Sequence, residues 1–488
     1  MRKMTRELTK EIITEELEKN RDALLEDLSQ LLKINSVRGE ALEYQGQTLP
    51  FGKGVQDALL FMKTIAQREG FIFYDLDHYG GHIDFGEAKE ETMGVLLHLD
   101  VVPEGSGWKY EPFGGQIEDG KIYGRGALDD KGPTIAAFYA LKTLKDLGYE
   151  PAKGIRLILG LDEETGWSGM DYYLARENPP DFGFTPDADF PVIRGEKGIL
   201  TFDIVKKLSK TVGLERGLEL RSLKGGQAPN MVADSARALL FHKDPKYYEI
   251  LLGKIEEYNH KKDHKVKSRL CGKSMEITTS GVSAHGARPE SGVNAISIIM
   301  DFLSTLTFAE DDVNDFVEFY KNHIAFDLRG ELLGVDFSDK ESGSLILNIG
   351  KANINSKEAR VTVNIRYPVT LQEDIFYETL MTTLSPYNLG IVKTMIQKPI
   401  YFAEDNPLIQ QLMSIYKEHT GDQTSKAAII GGGTYARSMN NFVAFGPSFP
   451  GDEEIAHQKD EYMDIEKLML AATIYTHAIY EFTKESDL

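Results

Sequence analysis

The sequence predicts an α/β protein in which a mixed, mostly parallel sheet is flanked by helices and interrupted by a large inserted α+β domain. Two observations predict this fold. Apolar strand patterns alternate with helical patterns over 1–197 and again over 396–488, which is typical of a mainly parallel sheet with helices on both faces. Over 198–395 the pattern changes to alternating strands mixed with long helices. We therefore expect one domain formed by 1–197 and 396–488, with 198–395 inserted between its two parts.

The spacing of apolar residues predicts the elements of the first segment. Helices are expected over 17–34, 57–68, 134–147 and 170–176. Strands are expected over 71–77, 95–97 and 155–161. The runs at 95–97 and 155–161 are almost wholly apolar, as expected for strands buried on both faces of a parallel sheet.

The inserted and final segments are divided in the same way. In the insertion, strands are expected over 199–205, 275–279, 345–349 and 360–365, and helices over 248–258, 293–306 and 371–384. The strands at 345–349 and 360–365 are expected to pair as a hairpin. In the final segment we expect a helix over 408–417, a strand over 442–445 and a helix over 465–482.

Composition excludes several classes of function. The formal net charge is −21, which argues against nucleic acids and anionic membrane surfaces as partners. The chain has one cysteine, Cys271, so an intrachain disulfide is ruled out and a thiolate metal site is not expected. The charged start at residues 1–9 does not resemble a signal peptide, and no apolar run approaches the ~18 residues that a membrane helix needs. We expect a cytoplasmic protein.

Histidine and acidic residues follow the predicted strands and turns. His98 and Asp100 stand two residues apart at the end of a buried strand, where side chains i and i+2 share a face. Further candidates follow other strands or turns, namely Asp129, Asp130, Glu163, Glu164 and Asp187, and His457 is a candidate from the C-terminal segment. Imidazole and carboxylate ligands without a thiolate suit Zn²⁺ or Mn²⁺ and are sufficient in number for two ions.

A pair of ions would supply hydrolytic chemistry. Two ions ~3.5–4 Å apart lower the pKa of a bridging water from ~15.7 to ~7 and polarise a substrate carbonyl. One member of the pair Glu163 and Glu164 could accept the proton of that water while the other binds metal. Taken singly, an acidic pair is most often a solvated loop, and the glycines 431–433 are most often a turn. The placement of every acidic cluster directly after a strand or turn favours a site.

The same residues carry a family resemblance. The sequence resembles the PepV-type bacterial dipeptidases, carnosinase-like members of the di-zinc aminoacylase/dipeptidase superfamily. The matching motifs occur in the family's order at 98–103, 123–132, 162–164, 186–189, 281–286, 364–368, 431–435 and 456–458. They span nearly the whole chain, which makes the resemblance far more specific than any single motif.

The resemblance implies a site for two Zn²⁺ ions, with Mn²⁺ or Co²⁺ as alternatives. Asp129 would bridge the ions. His98 and Asp187 would complete the ligands of one ion, and Glu164 and His457 those of the other.

The resemblance also implies catalytic roles. Glu163 would be the general base, Asp100 would orient His98, and the peptide bond between Asp129 and Asp130 would be cis. The inserted domain resembles the family's lid, from which His285 would act on the tetrahedral oxyanion.

Four further positions match substrate-binding residues of the family. Asn230 and Arg366 match lid residues that hold the polar end of the substrate, and Gly432 and Gly433 would offer backbone N–H groups to the same carboxylate. Arg366 also extends the polar side of the alternating strand 360–365, where its guanidinium could bind a carboxylate through two hydrogen bonds. From the pattern alone, a surface charge is the favoured interpretation of Arg366.

These implications predict a metal-dependent dipeptidase that hydrolyses unblocked dipeptides. One alternative is an N-acyl-amino-acid or succinyl-diaminopimelate deacylase of the same superfamily, which would share every metal ligand. A second is a non-catalytic metal-binding paralogue, against which the intact ligand positions argue. The long insertion could replace a partner subunit, so we expect a monomer.

Overall fold

The structure is a computed structural model that describes residues 7–86, 89–209 and 217–485. Positions 1–6 of the charged N-terminal stretch lie outside the described residues. The chain divides into two compact units. Unit 1 comprises Met1–Gly195, Phe402–Ala428 and Gly433–Leu488, and unit 2 comprises Glu196–Tyr401 and Ile429–Gly432. The short segment Ile429–Gly432 groups with unit 2, although it falls within the last predicted segment, 396–488.

Unit 1 is built on a mixed sheet. The strand order is Ile193–Glu196, Phe442–Ala444, Phe182–Thr185, Thr92–His98, Gly154–Gly160, Gly81–Phe85 and Ile72–Asp75. Neighbours among the four strands from Phe442–Ala444 to Gly154–Gly160 are parallel, and the flanking pairs are antiparallel. The central strands are buried, as their apolar sequences require. This confirms the predicted mixed α/β sheet and places the parallel pairing at its centre.

The remaining strands of the first unit form small sheets. Leu42–Tyr44 pairs with Gln47–Leu49, and Ala188–Asp189 pairs with Pro447–Ser448. A three-stranded sheet consists of Gln116–Glu118, Lys121–Tyr123 and Tyr462–Asp464.

Helices cover this sheet. They are Lys10–Lys19, Arg21–Leu32, Lys53–Arg68, Lys131–Asp146, Ser168–Leu174, Pro407–Thr420 and Ile465–Thr483. The helices Lys131–Asp146 and Ile465–Thr483 are buried along most of their length and pack on each other, because their sequences are apolar on nearly every face. Among the described residues, no helix is both long and apolar enough to cross a membrane.

The prediction of one helix over 17–34 is wrong. Two helices, Lys10–Lys19 and Arg21–Leu32, meet at Asn20, which has φ −95° and ψ 0°. The Asn20 N–H donates to the carbonyl of Leu17 at 2.9 Å, and its side chain donates to the carbonyl of Glu16 at 3.2 Å. Asparagine competes for backbone hydrogen bonds in this way, which interrupts the helix although the leucine spacing continues through it.

Unit 2 is built on an eight-stranded antiparallel sheet. The strand order is Val266–Cys271, Ser274–Ser280, Ser235–Phe241, Glu219–Gly225, Ile346–Ile354, Glu358–Tyr367, Gly198–Lys207 and Gly390–Gln397. The helices are Tyr247–Lys261, Ala295–Leu303, Asp311–His323 and Glu373–Leu384. The expected hairpin is present, with Ile346–Ile354 paired to Glu358–Tyr367. The helix predicted over 293–306 begins at Ala295, because the Asn294 side chain caps it.

Several elements of unit 2 are absent from the sequence-based prediction. They are the strands Glu219–Gly225, Ser235–Phe241, Val266–Cys271 and Gly390–Gln397 and the helix Asp311–His323. Short strands also lie at Ser338–Asp339, Gly343–Ser344 and Ile400–Tyr401, while Ala428–Ile430 spans the boundary of the units.

Candidate metal centre

His98 ends the central strand Thr92–His98 of unit 1 and is fully buried. Its Nδ1 lies 3.0 Å from the backbone carbonyl oxygen of Asp100. Because a carbonyl can only accept, this contact places the ring proton on Nδ1 and leaves Nε2 free as a ligand atom. Nε2 lies 3.0 Å from Oδ1 of Asp129 and 3.7 Å from Oδ1 of Asp187. The strand end therefore directs Nε2 of His98 at two carboxylates, to which it donates when it is protonated and with which it would share a bound cation.

Asp129 stands between two histidines. Its Oδ1 faces His98, and its Oδ2 lies 2.9 Å from Nε2 of His457. The same His457 nitrogen lies 2.9 Å from Oε1 of Glu164. Two groups of potential ligand atoms result, each with its atoms within 4.8 Å of one another: His98, Asp129 and Asp187 form one, and Asp129, Glu164 and His457 form the other.

This donor set fits two divalent cations that share one carboxylate. Each group offers one imidazole nitrogen and two carboxylate oxygens, which are ligands that Zn²⁺ accepts. Asp129 belongs to both groups and presents a different oxygen to each histidine, as a carboxylate that bridges through both oxygens would. His457 is the most open member, with about half of its side chain exposed, whereas His98 is buried.

The turn that presents Asp129 leads directly into a buried helix. The peptide bond between Asp129 and Asp130 is cis, as the resemblance implies, and helix Lys131–Asp146 begins immediately afterwards. Oδ2 of Asp130 accepts the backbone N–H of His98 at 3.1 Å. Asp130 is thus directed at the backbone of a ligand residue and belongs to neither ligand group.

Asp100 contacts the two glutamates as well as His98. Its Oδ1 and Oδ2 accept the backbone N–H groups of Glu163 and Glu164, each at 3.1 Å. Oδ1 of Asp100 lies 3.6 Å from Nδ1 of His98, farther than the backbone carbonyl of the same residue. The Asp100 carboxylate therefore fixes the segment that carries Glu163 and Glu164, and its carbonyl makes the shorter contact with the imidazole.

Glu163 and Glu164 follow the strand Gly154–Gly160 and lie in a strongly acidic environment. Burial raises the pKa of Glu163 well above its usual range, and the charge of Asp187 raises it further. Burial raises the pKa of Glu164 to about 7, with the charge of Asp129 acting in the same direction. Glu163 belongs to neither ligand group, so it is available for a different task.

His457 shows the opposite balance. Burial alone would lower its pKa, but hydrogen bonds with Asp129 and Glu164 raise that pKa to about 11. A proton on His457 therefore offsets part of the negative charge of the surrounding carboxylates. A divalent cation would displace this proton, so metal binding should release protons and weaken as the pH falls.

The other predicted site residues lie mostly in unit 2. Asn230 and His285 are neighbours there, because the Gly286 N–H donates to the carbonyl of Asn230 at 2.6 Å. Arg366 lies opposite Ile199 in strand Glu358–Tyr367 and is buried, which removes the surface-charge interpretation. Of the paired glycines, Gly432 falls in unit 2 and Gly433 in unit 1.

Two buried charged residues lie beside the cluster, Arg125 and Glu461, and neither is among the site residues predicted from the sequence. Glu461 follows Lys459 and Asp460 in a charged stretch that is typical of a solvated loop. Arg125 lies inside the glycine-rich motif, but nothing in the spacing assigns it a partner. Their pairing is visible only in three dimensions.

Comparison with known proteins identifies the family. The family model described as peptidase family M20/M25/M40 matches residues 94–481. A protein named putative dipeptidase YtjP from Bacillus subtilis is 38% identical over 470 residues, covering 96% of this chain and 99% of its own. A putative dipeptidase from Staphylococcus haemolyticus is 37% identical over 475 residues, covering 96% and 99%.

Solved structures share the fold. Human carnosine dipeptidase 1 matches with a TM-score of 0.53 at 14% identity, covering 97% of this chain and 99% of its own. The dipeptidase Dug1p from Saccharomyces cerevisiae matches with a TM-score of 0.56 at 14% identity, covering 98% and 99%. With the two ligand groups described above, the match over residues 94–481 shows that the chain is a peptide hydrolase of the metal-dependent peptidase family M20/M25/M40.

Proposed function

We propose that this M20-family peptidase is a dipeptidase that hydrolyses unblocked dipeptides with two Zn²⁺ ions bound, for which Mn²⁺ or Co²⁺ could substitute. The observation that carries the proposal is the position of Asp129, whose two carboxylate oxygens face two different histidines. The substrate class is supported by the names of the relatives, which are putative dipeptidases of nearly equal length.

The proposed ligands follow from the two groups of side chains. His98 and Asp187 would hold one ion, Glu164 and His457 the other, and Asp129 would bind both. When bound, the ions would acidify a water molecule and polarise the scissile carbonyl. The buried position of His98 and the hydrogen bond on its Nδ1 keep its ligand nitrogen fixed.

Glu163 is the proposed general base. Its carboxylate would accept the proton of the attacking water and later deliver it to the nitrogen of the leaving amine. The backbone of this residue is held from two sides, since its N–H donates to Asp100 and its carbonyl accepts the indole N–H of Trp167 at 2.8 Å. Burial raises the pKa of this carboxyl, which favours uptake of the proton from the water before it is delivered to the amine.

The remaining predicted site residues are proposed to bind the substrate. His285 would donate to the oxyanion, and Asn230 and Arg366 would hold the C-terminal carboxylate together with backbone N–H groups of Gly432 and Gly433. Support comes from the proximity of Asn230 and His285, whose two loops are joined by the hydrogen bond from the Gly286 N–H to the Asn230 carbonyl. Asn348 holds this pair by donating to the carbonyls of Pro229 and Met231, each at 2.9 Å.

A paired substrate assay tests the proposal. Free dipeptides, the same dipeptides with an acetylated amine and the corresponding tripeptides are compared at equal concentration. A dipeptidase should cleave the free dipeptides at least about tenfold faster than either analogue. Each analogue carries an extra group at a position where the proposed site binds the free amine or the terminal carboxylate. Preferential hydrolysis of the acetylated form would instead identify a deacylase.

Two further proposals concern the oligomeric state and the cellular location of the protein. We propose a monomer, because the long insertion could take the place of a second subunit, and light scattering of the purified protein tests this. We also propose a cytoplasmic location, supported by the single cysteine, which leaves no intrachain disulfide to form. Cell fractionation with an antibody against the protein tests the location.

A further inference from the structure

Arg125 and Glu461 form a buried ion pair beside the proposed metal ligands. Both side chains are almost completely buried, and Nη1 of Arg125 donates to Oε2 of Glu461 at 2.5 Å. Arg125 also lies over the ring of Trp108, 5.3 Å from its centre. Buried charges are retained only when hydrogen bonds satisfy them, so the remaining contacts of the pair show what it holds in place.

The other oxygen of Glu461 holds the turn that presents Asp129. Oε1 accepts the backbone N–H groups of Gly126 at 3.1 Å, Leu128 at 2.9 Å and Asp129 itself at 3.1 Å. One carboxylate oxygen therefore accepts three backbone N–H groups of the turn, while the N–H of Ala127 between them donates to the carbonyl of Gly124. The Glu461 carbonyl accepts the N–H of Gly124 at 2.9 Å, which ties the same two chain segments together from the backbone side.

The other arm of Arg125 reaches the second histidine ligand. Nη2 donates to the backbone carbonyl of His457 at 3.2 Å. His457 has φ +64°, in the left-handed region that side chains other than glycine rarely adopt. A charged hydrogen bond to its carbonyl supports this backbone conformation, and that conformation sets where the imidazole lies.

We propose that Arg125 and Glu461 are positioning residues that set the placement of Asp129 relative to His457, and that they thereby determine affinity for one ion of the pair. The inference rests on the proposed two-ion site. The pair contacts the backbone of both Asp129 and His457, which reach the site from segments far apart in the sequence. The hydrogen bonds of His98 that lie at the site run to Asp100, Asp129 and Asp130, so the two ions should respond unequally.

Arg125→Lys is the sharpest test. Lysine keeps the charge that faces Glu461 but lacks the forked nitrogen that reaches His457. Metal-free protein is titrated with Zn²⁺ in the presence of a competing chelator, without peptide, and the affinity and number of bound ions are recorded. We expect one ion to bind about 10–100-fold more weakly and the other to change by less than about threefold.

A second background assigns the affected ion. In protein carrying His457→Asn, the addition of Arg125→Lys should cause no further loss of affinity for the remaining ion, because the contact it removes no longer positions a ligand. Asp84→Asn is the matched control. The substitution removes an ion pair with Arg156, which lies near the start of strand Gly154–Gly160, whereas Glu163 and Glu164 follow the end of that strand. It should leave the affinities for both ions unchanged.

Glu461→Gln gives an independent measurement if the arginine variant does not fold, which circular dichroism will report. Glutamine retains an accepting oxygen for the three N–H groups but loses the charge that orients Arg125, so the same selective loss is expected. Unchanged binding of both ions in a folded variant would overturn the inference, as would an equal loss of both. If the unaltered protein itself binds fewer than two ions, the proposed two-ion site fails instead.

Discussion

Glu163 is the residue whose replacement best separates catalysis from metal binding. It lies in the electrostatic neighbourhood of Asp187 and Asp129, yet it belongs to neither group of potential ligand atoms. Glu163→Gln preserves the size of the side chain and removes only its capacity to take a proton. We therefore expect the variant to bind two ions with unaltered affinity and to lose turnover.

The size of the loss follows from the role. A positioned general base contributes roughly 10²–10⁴ in rate. Because each tenfold change corresponds to about 1.4 kcal/mol, the barrier should rise by about 3–6 kcal/mol. KM should change little, since no substrate contact is assigned to this side chain.

The assay combines metal analysis with steady-state kinetics on one free dipeptide. Glu177→Gln is the matched control, because Glu177 lies outside the cluster and pairs with Arg156. The reasoning would be refuted if Glu163→Gln kept turnover within tenfold of the unaltered protein, or if it lost bound metal in proportion to its loss of activity. The first result would assign the base to another residue, and the second would make Glu163 a ligand.

Three further predictions concern other parts of the chain. Arg366→Ala should raise KM for dipeptides at least about tenfold with a smaller change in kcat. Arg360→Ala, on the same side of the strand, is the control and should leave KM unchanged. A KM of Arg366→Ala equal to that of the unaltered protein would remove Arg366 from substrate binding. Asp129→Asn should weaken the binding of both ions, whereas replacement of a ligand that belongs to only one group should weaken mainly the binding of that ion. Calorimetric titration with the metal distinguishes these outcomes. His419 and His477 form a buried pair 2.8 Å apart, and burial lowers the pKa of His419 to about 3. Because the unfolded chain takes up a proton near pH 6.5 that folded His419 does not, the free energy of unfolding should fall between about pH 6.5 and pH 4, by up to about 1.4 kcal/mol per pH unit for this histidine. Urea unfolding of metal-free protein should show a flatter dependence in His419→Gln, and an identical slope would contradict this.

The sequence was informative where chemistry and backbone periodicity coincide. His98 and Asp100 were predicted to share a face because side chains in a strand alternate, and the structure places His98 in the cluster and Asp100 beside it. Asp129 was identified as a candidate by the glycine-rich turn before it. The assignment of Asp129 as the bridging ligand came from the family resemblance and remains a proposal.

Other features depend on contacts that no spacing encodes. The strand Glu219–Gly225 was missed because its apolar residues Leu220 and Leu223 stand three apart, which does not fit strand alternation. A register shift between Leu220 and Ser222 explains this spacing, since the extra residue moves Leu223 back to the buried face. Glu461 and Arg125 lie far apart in the sequence, so their pairing emerges only from the folded chain.

Activity as a function of added metal tests the central claim most directly. Protein stripped with a chelator is titrated with Zn²⁺ while hydrolysis of a free dipeptide and the number of bound ions are followed in the same samples. A two-ion dipeptidase should be inactive without metal and should reach full activity only as the second equivalent binds. Hydrolysis by the metal-free protein, or full activity at one bound ion, would contradict the account.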